Sequence, residues 1–184
     1  SSPYEFNQVT RRENIHRQVV QELKAPLIYV NQVGANDELL FDGRSFVMNA
    51  EGETEAKLSA FSPELRCVDL PIRSEGLLNP KPRLLETPPL EVLALGIECG
   101  IRDYCKRNGF RSVILGLSGG IDSAVVAILA TRALGKENVW ALAMPSQFSS
   151  PQSLKDAEEL ALNLGIHFDV KPIKFAYSAL SRQI

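Results

Sequence analysis

Cysteine and histidine are scarce in this sequence. The three cysteines, Cys67, Cys99 and Cys105, are an odd number without CxxC spacing, and His16 and His167 stand alone. A disulfide framework and a zinc site are both disfavoured, and a reducing cytoplasm is the expected setting. Long apolar runs are missing too: the longest, around Ala124 to Ala130, falls far short of the roughly 20 residues that cross a bilayer. The first residues lack a basic, then apolar, then small-residue pattern, so neither a membrane nor a secretory address is expected. Nor is there an excess of positive charge. A formal charge of −2 and a pI near 5.8, with basic residues dispersed among acids, give no field to draw in nucleic acid. What the 184 residues do have is 45% apolar content, ample for a packed core.

Between Asn14 and Leu23 the residues Ile15, Val19, Val20 and Leu23 recur at helical spacing, and after Pro26 the run Leu27 to Val33 reads as a strand. Phe46 to Asn49 and Ala56 to Phe61 predict two strands around a turn from Ala50 to Glu53. Five prolines then crowd the stretch from Pro71 to Pro89, which suits an extended crossing segment and marks a domain boundary. Beyond it the pattern changes. Leu90 to Arg107 predicts a helix, Ser112 to Leu117 a buried strand, Asp122 to Leu134 a helix closed by Gly135, and Val139 to Met144 a second strand. Ser150 followed by Pro151 opens a helix whose apolar face runs through Leu154, Ala157, Leu160, Ala161 and Leu164 to Gly165, and His167 to Val170 supplies a third strand. Strands alternating with helices predict an α/β fold with a doubly wound parallel sheet, which binds ligands beyond the carboxyl ends of its strands.

The loops at those ends are Ser118 to Ser123 and Pro145 to Ser150. In the first, Gly119 and Gly120 remove two Cβ atoms where a strand turns into a helix, so backbone N–H groups can approach an anion at a helix amino terminus. Ser118 and Ser123 could add hydroxyl donors. The loop has no lysine and is therefore not the GxxxxGK[ST] loop. A glycine-rich turn of this kind can also be no more than a tight turn. Asp122 is out of place beside a phosphate unless it caps the helix or holds a cation that bridges to phosphate oxygens. A third reading overlaps both: Gly116 to Gly120 satisfies GxSxG, the nucleophile elbow of α/β-hydrolases, for which His167 is the sole downstream histidine.

The string LGLSGGIDSAVVA, with NGF at Asn108 to Phe110 before it and MPSQFSSPQSLKDAEELA from Met144 to Ala161 after it, resembles the synthetase domain of NAD synthetases. SGGIDS alone marks a wider superfamily of ATP pyrophosphatases that includes GMP and asparagine synthetases; the MPS…SS…SL.DA segment narrows it. Upstream, SSPYEF at Ser1 to Phe6 and YVNQVGANDELLFDGRSFV at Tyr29 to Val47 resemble the closing part of the nitrilase-like glutaminase domain of the glutamine-dependent members. The resemblance implies three parts: residues 1–70 as the end of that glutaminase domain, 71–89 as a proline-rich linker, and 90–184 as the first part of an adenine nucleotide α-hydrolase-like synthetase domain. It implies ATP-dependent amidation of deamido-NAD through an adenylylated carboxylate, with ammonia supplied from glutamine and AMP and pyrophosphate released. By the same resemblance Gly116, Leu117, Ser118, Gly119, Gly120, Ile121, Asp122 and Ser123 bind ATP, Asp122 is the Mg²⁺ ligand, and Met144 and Ser146 lie on the adenosine side. Identical chains are expected to assemble.

The departures from the family pattern also carry expectations. None of the cysteines lies in the family's nucleophile context, so the Glu, Lys, Cys triad is expected outside this chain. Ser2 matches a serine that contacts glutamine, whereas Gln8 stands where a basic residue is expected; Arg11 or Arg12 could replace it, or be solvated charges before a helix. The later synthetase motifs are also missing, which predicts a stretch of a longer protein, inactive by itself. Two alternatives stay open at this point: a related amidotransferase of the GMP synthetase kind, and a catalytically silent structural piece.

Overall fold

A computed structural model describes residues 2–6, 8–70 and 88–180. The proline-rich crossing segment lies outside the described residues, apart from Pro88 and Pro89. The chain divides into two units, Ser1–Gly100 and Ile101–Ile184.

In the first unit, helix α1 (Gln8–Leu23) begins earlier than the apolar spacing suggests. Three strands, β1 (Leu27–Tyr29), β4 (Phe46–Met48) and β5 (Thr54–Lys57), form an antiparallel sheet in the order β1-β4-β5. The expected strand Leu27 to Val33 is in fact two. Its ladder to β4 ends at Tyr29, and Val33 opens β2 (Val33–Asn36), which pairs with β3 (Leu39–Asp42) instead. Between them the backbone is taken by other partners: Asn31 N donates to Ser45 Oγ at 3.0 Å and Gln32 O accepts from Gly43 N at 2.8 Å. The second expected strand ends at Lys57, and Phe61 sits in left-handed conformation with its N–H on Asp42 O at 2.9 Å.

Val20, Phe46 and Met48 make one core, with Leu27 and Tyr29 packed on it. The apolar stripe of α1 has the right period but faces outward: Ile15, Val19 and Leu23 are exposed, while Arg12, His16 and Val20 face the sheet side. The inward face is polar at one end because Asp42 is there to pair with it. A second cluster joins Phe61 to Val92 and Cys99 of α2 (Pro89–Arg107), the helix that continues past Gly100 into the second unit.

The second unit holds β6 (Val113–Gly116), α3 (Ile121–Leu134), β7 (Val139–Ala143), α4 (Pro151–Leu164), β8 (His167–Val170) and α5 (Lys174–Leu180). The strands are parallel in the order β6-β7-β8, with Val113 beside Val139 and Ala141 beside Phe168. Small residues set the spacing of the layers. Ala127 and Ala130 of α3 and Ala157 and Ala161 of α4 pack on Val139 and Ala141, so both helices cover one face of the sheet. On the other face Ile114 and Trp140 are neighbours in register and exposed, and Trp140 stacks on His167 with centroids 4.1 Å apart. Helix α4 has the predicted ends: the Ser150 side chain accepts from Ser153 N, Pro151 follows, and Gly165 adopts the left-handed conformation at the carboxyl end. The β2–β3 hairpin and α5 had no clear signal in the sequence.

Candidate functional site

The turn after β6 is shaped by one glycine. Leu117 N continues the sheet by donating to Leu142 O at 3.0 Å, after which Gly119 takes φ +80°. A Cβ there would stand 2.2 Å from the carbonyl oxygen of Ser153, in the first turn of α4. Neither the conformation nor the space admits another residue, so the turn can close on α4 only with glycine at 119. The loop then braces itself. Ser118 N donates to Ser123 Oγ at 3.2 Å, the two hydroxyls lie 3.0 Å apart, Ser118 Oγ accepts from Gly120 N at 3.3 Å, and Ser123 Oγ donates to Gly120 O at 3.0 Å.

This turn borders a cavity of about 510 Å³ at the carboxyl ends of β6 and β7, where a parallel α/β sheet binds its ligands. Of the residues expected at the ATP site, Gly116, Leu117, Ser118 and Met144 line it. Ser150 and Ser153, at the amino end of α4, line it as well; the sequence marked Ser150 only as a helix start. Gly119, Gly120, Ile121, Asp122, Ser123 and Ser146 are not in the wall. Ser146 instead shapes the next loop, its N–H on Ser149 Oγ at 2.9 Å and its own Oγ accepting from Phe148 N at 3.2 Å.

Helix α3 has Gly120 at its cap position and no side-chain cap. The cap reading of Asp122 therefore fails. Asp122 is exposed in the first turn and makes no hydrogen bond or ion pair with a described residue. The uncapped first N–H groups of α3 and the positive end of its dipole remain available to an anion. The hydrolase reading fails on geometry: His167 lies at the amino end of β8, the far end of the sheet from Ser118, stacked on Trp140. Among the described residues no group of three or more His, Cys, Asp or Glu could hold a metal, and no helix is long and apolar enough to cross a membrane.

A second cavity, of about 320 Å³, lies in the first unit and is lined by Ser2, Arg11, Arg12, Ile15, His16 and Tyr29. Arg12 is buried and paired with the fully buried Asp42, Nη1 reaching the two carboxylate oxygens at 3.0 and 3.2 Å. It is thus no solvated charge before a helix. Arg11 is exposed at the cavity, and Gln8 opens α1 one turn ahead of it. His16 donates from Nδ1 to Arg12 O at 2.7 Å and sets its ring edge-on to Tyr29 and Phe46. The Tyr29 phenol is pushed above its ordinary pKa chiefly by burial, with the Arg12 charge and the nearby Ser2 hydroxyl acting in the opposite sense. Ser2 influences that phenol without reaching hydrogen-bonding geometry, and the buried Tyr29 hydroxyl has no partner among the described residues.

Residues 94–184 match the family model described as NAD synthase. Along nearly its whole length the chain is similar to glutamine-dependent NAD(+) synthetases: it is 42% identical to that of Synechocystis, covering 94% of this chain and 31% of the relative. With that of Aquifex aeolicus the identity is 39%, covering 97% and 37%. A solved glutamine-dependent NAD+ synthetase from Acinetobacter baumannii, in complex with adenosine diphosphate, superposes on all of this chain and 35% of its own with a TM-score of 0.84 at 31% identity. The chain spans about a third of the length of these relatives. With the motif-bearing loops in place and both halves aligned in order, residues 94–184 carry an NAD synthase domain and the chain along its length is similar to the glutamine-dependent NAD(+) synthetases.

Proposed function

We propose that this chain supplies the pyrophosphate-releasing ATP site, and part of the glutamine site, of an enzyme that amidates deamido-NAD to NAD. The observation that carries this reading is the lysine-free glycine turn closed against α4, bordering a cavity at the carboxyl ends of the strands, with the exposed Asp122 carboxylate, which has no partner among the described residues, in the following helical turn. Attack of the nicotinic acid carboxylate at the α-phosphate expels pyrophosphate, so a cradle for the β- and γ-phosphates meets charge that grows on the leaving group. Backbone N–H groups at the start of α3 and hydroxyls near the mouth do this without a lysine. Gly116, Leu117 and Met144 belong to the apolar part of the wall, suited to the adenosine side.

Asp122 fits a Mg²⁺ ligand. A lone exposed carboxylate is too little for an all-protein metal cage, but Mg²⁺ is commonly held by one or two carboxylates together with substrate phosphates and water. When bound, the ion would neutralise phosphate charge and strengthen pyrophosphate as a leaving group. In the first unit, Ser2 and the start of α1 at Gln8 contribute to glutamine binding, with Arg11 the exposed cation at that cavity. Cys99 and Cys105 are buried in α2 and are not offered as nucleophiles. We further assign the first part to a nitrilase-like sandwich, the second to a doubly wound synthetase sheet, and the enzyme to the cytoplasm as an assembly of identical chains.

The test is product analysis with the full-length protein, ATP, Mg²⁺, deamido-NAD and glutamine. Equal amounts of NAD, AMP and pyrophosphate are expected. ADP and phosphate in step with NAD would overturn the reading.

A further inference from the structure

Ser2 is held by two buried side chains, those of Asn31 and Arg12, 29 and 10 positions away in sequence. Asn31 brackets its backbone: Ser2 N donates to Asn31 Oδ1 at 2.8 Å, and Asn31 Nδ2 donates back to Ser2 O at 3.1 Å. The same Nδ2 donates to Asp42 Oδ1 at 3.0 Å. Arg12, fixed to Asp42 through Nη1, turns Nη2 toward Ser2 O at 3.4 Å, Ser2 Oγ at 3.3 Å and Pro3 O at 3.4 Å. Asn31, Asp42 and Arg12 are all buried. A carboxylate, a guanidinium and an amide taken out of water together are costly to assemble, and replacing such groups by apolar ones is often neutral or stabilising. Here Asn31 and Arg12 both contact Ser2 at the wall of the 320 Å³ cavity, and Asp42 ties the two together.

We propose that Asn31, Asp42 and Arg12 are positioning residues that set the Ser2 backbone and hydroxyl for glutamine. Arg12 acts through Ser2 and is not the ligand of the substrate carboxylate. The chemistry follows from the direction of the bonds. A guanidinium only donates, so the Arg12 contact occupies a lone pair of Ser2 Oγ and leaves the Ser2 proton to be given elsewhere. Beside a cation that proton is a stronger donor, suited to a carbonyl or carboxylate oxygen of a ligand in the cavity. Asp42 holds the guanidinium in this orientation and neutralises its charge, which leaves Arg11 as the cation on the cavity wall without an ion-pair partner among the described residues. This inference rests on the assignment of Ser2 to the glutamine site.

The experiment uses the full-length enzyme and measures KM and kcat for glutamine, with hydrogen exchange across α1 and β3 reporting the folded fraction of the first unit in each preparation. Ser2→Ala and Asn31→Ala should each raise the glutamine KM by roughly tenfold, the loss of one ligand hydrogen bond. The double variant should stay near the same roughly tenfold, because displacing Ser2 costs nothing more once its hydroxyl is gone. Arg12→Lys keeps a cation for Asp42 and removes the arm that reaches Ser2, so it should raise the KM several-fold, about as a weak hydrogen bond would, even if the other variants fold poorly. If Ser2→Ala leaves the glutamine KM unchanged, the assignment of Ser2 itself is wrong. If Ser2→Ala raises it while Asn31→Ala and Arg12→Lys do not, or if the double variant multiplies to about a hundredfold, the positioning role is overturned.

Discussion

The cavity beside the β6 turn and the cavity beside Ser2, one in each unit, are built by opposite means. The one in the second unit lies beside a turn set by backbone: a glycine with no room for a Cβ, a helix without a side-chain cap, and the serines Ser118 and Ser123 that brace the turn. The one in the first unit is walled by side chains, among them Ser2 and Arg12, and is backed by the buried polar network in which Asp42 and Asn31 hold those two residues. A backbone cradle recognises a repeating charged group such as phosphate and tolerates little change in local sequence. A side-chain clamp fixes one hydroxyl and depends on residues about 30 positions away.

The largest effect expected of this difference is at Asp42. Asp42→Ala leaves the Arg12 guanidinium buried without its partner and should lower the stability of the first unit by about 3–5 kcal/mol, seen as faster hydrogen exchange across α1 and β3. A loss no larger than that of an exposed charge would break the contrast. Gly119→Ala comes next. It combines a left-handed φ with a collision against Ser153 O, and it should cost about 2–4 kcal/mol, read as lost protection in β6 and α3, together with loss of ATP-dependent turnover. Unchanged turnover would mean that the turn does not need its contact with α4. Ser150→Ala removes a cap hydrogen bond and should cost about 1 kcal/mol, confined to the start of α4.

The smallest effect is one of pH. Burial is the leading cause that raises the Tyr4 and Tyr29 hydroxyls above their ordinary 10.0. A raised folded-state pKa contributes stability that is fully present below pH 10 and is lost as pH rises through the folded values. Alkaline titration followed by tyrosine absorbance should therefore show the first unit weakening above that range. Ordinary titration of both phenols with no change in protection would sharpen the comparison by making that network purely ionic.

How much of this was legible in the sequence follows the same division. The loop Ser118–Ser123, the Ser150-Pro151 start and the Gly165 stop are local signals, and α3, α4 and the three parallel strands formed almost where the pattern put them. Asp122 was legible as an oddity, and the uncapped helix then removed the bland explanation. In the first unit the helix α1 was legible but its inward face was not. Ile15, Val19 and Leu23 gave the period, yet the inward stripe is Arg12, the half-buried His16 and Val20, because Asp42 of β3 pairs with Arg12. No periodicity rule finds a buried arginine whose partner lies 30 residues on. For the same reason the strand 27–33 was read as one, since its break depends on the side chain of Ser45 and the backbone of Gly43.

The role proposed for the turn after β6 is to handle ATP phosphates, with Asp122 as the metal-holding carboxylate. It is tested most directly by Asp122→Asn in the full-length enzyme, with ammonia as the nitrogen source so that the glutamine site plays no part. The account predicts that kcat for NAD formation falls by roughly 10²–10³-fold, the scale of removing one preorganised electrostatic group, while the fold stays intact by hydrogen exchange. Turnover within a few-fold of the unaltered enzyme at saturating Mg²⁺ would contradict it.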